Sequence, residues 1–69
     1  MIGIFRTNIN TQQDKNSVIG AIQSHFSVMA CSVDIEDCDR VLRVVGPQLG
    51  EDAIIAFVQR MGFYCDLLD

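Results

Sequence analysis

Paired cysteines and clustered basic residues are scarce in this sequence, and each shortage excludes a class of protein. The three cysteines are odd in number, and no two of them are spaced as Cys-x-x-Cys. Small secreted domains depend on disulfides and zinc modules depend on such pairs, so we expect reduced thiols. The chain also starts without a basic flank and long apolar run, from which we expect a cytoplasmic protein.

Lysine and arginine total five residues against nine acidic ones, which gives a net charge of −4. The basic residues are scattered singly along the chain, at Arg6, Lys15, Arg40, Arg43 and Arg60. Binding to a nucleic-acid backbone or an anionic membrane requires clustered cations, so neither is an expected partner. No apolar run approaches the length of a membrane span.

Hydrophobic residues make up 49% of the 69 positions, which is high for so short a chain. With no linker or repeat, we expect a single domain over residues 1–69. A chain of this size buries only about 60% of its unfolded surface, so apolar surface is expected to remain for a partner.

The first half of the chain predicts a strand and then a helix. Met1–Ile9 has strand composition, and a loop is expected over Asn8–Gln13. Thr11 is the expected N-cap, with Asp14 three positions later. The apolar stripe of the helix consists of Val18, Ile22 and Phe26.

Period-two alternation follows over Met29–Glu36, which predicts a half-buried strand. Asp37–Asp39 is a polar tip, and Arg40–Gly46 returns as the second strand of a hairpin. Pro47–Gly50 interrupts this strand.

Glu51 and Asp52 suit the start of a second helix with a wide apolar face, and Gly62 suits its end. Tyr64–Asp69 is the expected last strand.

These elements predict an α+β, ferredoxin-like βαββαβ domain: a four-stranded antiparallel sheet with two helices on one face. The loop after the first strand, the hairpin tip and the turn at Gly62 are then expected at one end. The sequence leaves two registers open for the first strand. We expect Phe5 and Thr7 to face inward in preference to Ile4 and Arg6, and a one-residue slip would exchange the two faces.

Four segments resemble the framework of the heavy-metal-associated domain, the fold of copper chaperones and of metal-pumping ATPase modules. They are Phe5-Arg6-Thr7, Ser32-Val33-Asp34, Val41-Leu42-Arg43-Val44-Val45-Gly46 and Met61-Gly62-Phe63. The resemblance covers almost the whole chain. It implies the fold, because these are framework positions.

The metal site of that family is a Met-x-Cys-x-x-Cys loop, and the corresponding stretch here is Asn10–Lys15. Gln12 and Lys15 stand where the two thiolates would be. Amide oxygens bind soft ions poorly, so the resemblance carries no metal-chaperoning activity to this chain. No cofactor is expected.

Among the cysteines, Cys38 lies in the hairpin tip and is the candidate for a single thiolate metal ligand, a redox thiol or an intermolecular disulfide. Its acidic neighbours Asp37 and Asp39 favour the alternative of an incidental turn residue. Cys31 and Cys65 are expected to face the core on opposite edges of the sheet, too far apart for a disulfide.

The other side chains that could bind a metal ion have simpler structural interpretations. Four carboxylates lie close together in the hairpin, but their spacing does not match a calcium-binding loop. A solvent-exposed acidic hairpin is the preferred interpretation of Asp34, Glu36, Asp37 and Asp39. His25 has no ligand residue at helical spacing and is expected at the C-terminal end of its helix. Met29 and Met61 are interpreted as packing residues.

Two other activities of ferredoxin-like domains are also unsupported. An RNA-recognition module needs aromatic residues on its central strands, and Val41–Gly46 has none. An acylphosphatase needs an arginine in the loop after the first strand, and Asn8–Gln13 has no cation. We do not expect an enzyme.

The positive feature is the sheet face that points away from the helices. We expect on it Ile4, Val41, Arg43, Val45 and Leu68. Our first hypothesis is an interaction module that buries this face against a second copy or another protein. The alternative is residual metal handling that uses Cys38.

Overall fold

The structure is a computed structural model that describes residues 2–48 and 50–68. Its elements follow the order β1 (Ile2–Thr7), α1 (Gln12–His25), β2 (Ala30–Asp34), β3 (Val41–Val45), α2 (Glu51–Arg60) and β4 (Cys65–Leu67). The four strands form one antiparallel sheet in the order β2-β3-β1-β4. The predicted α+β, ferredoxin-like arrangement is confirmed. Three residues within the predicted segments, Met1, Leu49 and Asp69, lie outside the described residues.

The register of β1 is the one expected from its hydrophobic pattern. Phe5 is fully buried and Thr7 is nearly so, whereas Arg6 between them is exposed. Because successive side chains of a strand point to opposite faces, this alternation fixes which side of β1 meets the core. Phe5 and Thr7 therefore face inward, as predicted.

One hydrophobic core joins the sheet to both helices. Val18 and Ile22 of α1 are fully buried, as are Ile54 and Val58 of α2. They form a single cluster with inward residues of the strands, namely Phe5, Val33, Leu42, Val44 and Cys65, together with Ile9. The two helices thus cover the same face of the sheet. Each fully buried aliphatic side chain of this kind stabilises the fold by about 1.5–3 kcal/mol.

Helix α1 begins earlier than the predicted loop Asn8–Gln13 allows. The Thr11 hydroxyl accepts a hydrogen bond from the Asp14 backbone N–H at 3.1 Å, and Thr11 has the extended backbone of an N-cap. Since the cap is satisfied at Thr11, the chain is helical from Gln12 onward. The loop prediction was wrong for Gln12 and Gln13, which belong to the first turn of the helix.

Strands β2, β3 and β4 are shorter than predicted, and a polar turn ends β2. The Asp34 carboxylate accepts a hydrogen bond from the Glu36 N–H at 3.1 Å, and this turn ends β2 at Asp34. Gly62 follows α2 with φ of 101°, a conformation that favours glycine, as expected of a helix stop. Within the described residues, neither helix is long and apolar enough to cross a membrane.

Candidate interaction surface and hairpin tip

The sheet face turned away from the helices is called the open face here. Directly paired residues of antiparallel strands share a face, so the registers of the strand pairs define its members. Ile4 lies opposite Arg43, and the Leu68 N–H donates to the Ile4 carbonyl oxygen at 3.1 Å. The open face comprises Ile2, Ile4, Arg6, Ala30, Ser32, Asp34, Val41, Arg43, Val45, Asp66 and Leu68.

All five residues predicted for the interaction face lie on the open face. Arg43 is exposed, and the four aliphatic residues are partly buried: Ile4, Val41, Val45 and Leu68. Ile2, which pairs with Val45, is 59% exposed and extends the apolar area at the end of the sheet away from the hairpin tip. The placement agrees with the prediction, and the binding role of these residues stays a prediction.

A shallow depression of about 320 Å³ lies in the open face. It is lined by Ile4, Ser32, Asp34, Asp37, Val41 and Arg43. Two aliphatic side chains thus stand beside one hydroxyl, two carboxylates and one guanidinium. The depression therefore combines an apolar wall with charged groups of both signs.

Of the charged side chains in and around the depression, some form an ion pair and others do not. Arg6 forms an ion pair with Asp39, with its Nε 3.3 Å from a carboxylate oxygen. Among the described residues, no ion pair engages Arg43, Asp34 or Asp37. The two carboxylates are nevertheless oriented, because Asp34 accepts from the Glu36 N–H and Asp37 accepts from the Asp39 N–H at 2.8 Å.

At one end of the sheet, the three connections predicted to lie together are joined by hydrogen bonds. The Thr7 N–H donates to the Asp39 carbonyl oxygen at 3.1 Å, which ties β1 to the hairpin tip. The Asn8 side-chain oxygen accepts from the Tyr64 N–H at 2.9 Å, which ties the first loop to the last turn. Sequence reasoning foresaw this proximity but not the residues that maintain it.

Cys38 occupies the exposed tip of the hairpin, as predicted. One ligand atom each from Asp37, Cys38 and Asp39 lies within 4.8 Å of the others, so this tip is the candidate cation site among the described residues. Its donors are mismatched, because a thiolate prefers soft ions and carboxylates prefer hard ones. Asp39 is also engaged by Arg6.

The remaining cysteines belong to the core. Cys65 is buried and Cys31 is partly buried, on strands at opposite edges of the sheet. Burial raises the pKa of the Cys31 thiol to about 11. Burial, helped by the charge of Asp66, raises the pKa of the Cys65 thiol to about 11 as well. Both thiols therefore stay protonated at neutral pH, which is unfavourable for nucleophilic or metal-ligand chemistry.

Helix α1 ends in an aromatic contact that the sequence did not predict. The His25 ring lies 4.9 Å from the Phe57 ring of α2, and Phe26 meets the same ring edge-on at 5.3 Å. His25 is the last residue of α1, as expected.

The two methionines differ in their environments. Met61 packs against the core, as predicted. The interpretation of Met29 as a packing residue was wrong, because its side chain is 79% exposed. Met29 lies immediately before the edge strand β2, where no helix of the described residues covers it.

Comparisons with protein-family models, with curated proteins and with solved structures find no match to this chain.

Proposed function

We propose that this chain is a non-catalytic interaction module that buries its open face against a second copy or another protein. The supporting observation is that aliphatic residues remain accessible on the open face after the core is complete, with Ile2 at 59% exposure. An antiparallel sheet that leaves one face to water normally places polar residues there. Burying these side chains against a partner would remove apolar surface from water.

The scaffold in this proposal is of the heavy-metal-associated type without its metal site. The resemblance of the framework segments supports it, and so does the βαββαβ order of the elements. Gln12 and Lys15, which stand in for the two thiolates, fall in the first turn of α1. Neither supplies a soft ligand, and the proposal therefore assigns no metal cargo to this loop.

The non-catalytic part of the proposal is supported by the groups around the depression. Its polar side chains are Ser32, Asp34, Asp37 and Arg43, with neither a thiol nor an imidazole among the lining residues. A hydroxyl is a weak nucleophile unless a base accepts its proton. Among the described residues the carboxylates of Asp34 and Asp37 accept hydrogen bonds from the backbone N–H groups of Glu36 and Asp39, and no hydrogen bond joins them to Ser32. The three unpaired thiols are consistent with the expected cytoplasmic location, which belongs to the same proposal.

A charge-reversal pair tests the proposed surface. Arg43→Glu changes the open face, whereas Arg60→Glu makes the same change of charge at an exposed position on α2. Sedimentation equilibrium at high micromolar concentration would report self-association, and affinity capture from the cells that produce the protein would report other partners. We expect Arg43→Glu to alter the interaction, because it reverses a charge that faces the partner, and Arg60→Glu to leave it unchanged.

The proposal fails if the native chain stays monomeric and both variants retain the same captured proteins. The proposal also fails if Arg60→Glu alone loses the interaction, because the contact would then lie on the helices. Far-UV circular dichroism of both variants checks that the fold is intact.

The second candidate function is metal handling at the hairpin tip. It is favoured by the 4.8 Å grouping of Asp37, Cys38 and Asp39. Titration of the reduced chain with copper(I) or zinc, compared with Cys38→Ser, tests it directly. Binding in the low micromolar range that is lost in Cys38→Ser would support this function. The function is ruled out if the native chain does not bind in that range, or if Cys38→Ser binds as tightly as the native chain.

A further inference from the structure

The charges around the open-face depression indicate what kind of partner would cover it. On the side of β2 and the hairpin tip, the depression is bordered by the carboxylates of Asp34 and Asp37, and Glu36 between them is exposed. Arg43 is the cation among the lining residues, and Arg6, which also lies on the open face, is engaged by Asp39. Acidic groups therefore outnumber the basic group that faces an incoming molecule.

A second copy of this chain would be a poor electrostatic match to that surface. Each copy carries a net charge of −4, so two copies of the chain repel each other at long range. Like charges at an interface oppose binding, whereas a basic surface would be attracted to this one. Charge complementarity thus favours a different protein over a second copy.

The apolar part of the depression restricts the chemistry further. Ile4 and Val41 line it beside the two carboxylates. Lysine and arginine side chains combine an aliphatic stem with a charged head, and they bury the stem while the head keeps a polar partner. A basic side chain can therefore contact Ile4 and Val41 along its stem and place its charge against Asp34 and Asp37.

We infer that the open face binds a basic segment of another protein, with a lysine or arginine side chain seated in the depression against Asp34 and Asp37. This inference rests on the proposed interaction function and specifies its partner. Arginine suits the site best, since its planar guanidinium can bond two carboxylate oxygens at once. The guanidinium of Arg43 is then available to donate hydrogen bonds to a carbonyl or carboxylate group of the same segment.

Two blocked peptides of opposite charge test this inference on the full chain. Acetyl-Val-Arg-Val-amide and acetyl-Val-Glu-Val-amide are titrated up to about 10 mM, a range that detects dissociation constants in the millimolar range. Backbone amide shifts in nuclear magnetic resonance spectra report binding. We expect saturable shifts at Ser32, Val41 and Arg43 with the arginine peptide, and weaker binding of the glutamate peptide.

A matched pair of double variants separates specific contact from general attraction. Asp34→Asn with Asp37→Asn removes two charges but keeps the side-chain oxygens that accept the turn hydrogen bonds. Glu51→Gln with Asp52→Asn removes the same charge from the first turn of α2. The first pair is expected to weaken binding of the arginine peptide about threefold to tenfold. The second pair should change the affinity for the arginine peptide by no more than about twofold.

The inference is overturned if no saturable shift appears at the depression, if the glutamate peptide binds as well, or if both double variants weaken binding equally. Sedimentation of the same samples distinguishes this failure from that of the proposed function. Self-association that Arg43→Glu abolishes would keep the interaction module and overturn the basic partner.

Discussion

The Thr7 hydroxyl donates a hydrogen bond to the carbonyl oxygen of Arg40, which lies 33 residues later in the chain. The same hydroxyl accepts a hydrogen bond from the buried Ile9 N–H at 3.2 Å. Arg40 has φ of 46°, in the left-handed region that a non-glycine residue rarely adopts. Thr7 thus holds a strained hairpin tip against the end of β1, and the tip in turn places Asp37 at the depression.

The first prediction concerns this bridge. Thr7→Val keeps the shape of the side chain but removes the hydroxyl, and the Ile9 N–H then loses its acceptor inside the protein. We expect the free energy of unfolding to fall by about 2 kcal/mol, the range for leaving a buried group unsatisfied. Urea denaturation measures it. Thr7→Ser keeps the hydroxyl and should cost less than Thr7→Val, so equal losses would contradict the role of the bridge.

Substitution of glycine by alanine should have opposite effects on stability at two positions. Gly62 has φ of 101°, so Gly62→Ala forces a strained conformation and should lower the free energy of unfolding by about 1–3 kcal/mol. Gly20 is exposed inside α1, and an added Cβ there meets nothing within 4 Å. Gly20→Ala should raise stability by about 0.5–1 kcal/mol. Thermal unfolding of the two variants checks the opposite signs.

The buried thiol of Cys65 should make stability decline in alkaline solution. Its pKa is raised from 9.0 to about 11 in the folded chain, so the unfolded chain loses this proton at lower pH. The stabilisation is therefore complete below pH 9 and disappears as the pH rises toward 11, by about 2 kcal/mol at pH 10.5.

Comparison with Cys65→Ala isolates this effect from the other groups that titrate in the same range. Urea denaturation at pH 8 and at pH 10.5 should show a smaller loss in the variant than in the native chain. The same loss in both chains would show that Cys65 does not contribute to the pH dependence.

Local patterns were sufficient to predict the fold and most of the open face. Alternation in β1 left two registers open, and the burial of Phe5 and Thr7 confirms the one that was preferred. The pairing of strands then places Ile4 and Arg43 side by side on the other face. The Thr11 cap was also predictable, because an N-cap depends on residues within one turn.

Features that depend on distant residues escaped prediction. The Thr7 hydrogen bond to Arg40 and the contact between His25 and Phe57 join segments far apart in sequence. The exposure of Met29 depends on how far the helices extend over the edge of the sheet. The depression is lined by residues that are far apart in the sequence, such as Asp37 of the hairpin tip and Ile4 of β1, and no local pattern indicates that they lie near each other.

Site-specific photo-crosslinking in the cells that produce the protein tests the central claim most directly. A benzoylphenylalanine residue replaces Ile2 on the open face in one chain and Gln23 on the exposed surface of α1 in a control chain. The account predicts a discrete covalent adduct from the probe at position 2 and none from the probe at position 23, and mass spectrometry identifies the attached protein. An adduct from the helix probe alone, or from neither probe, would contradict the assignment of the open face as the interaction surface.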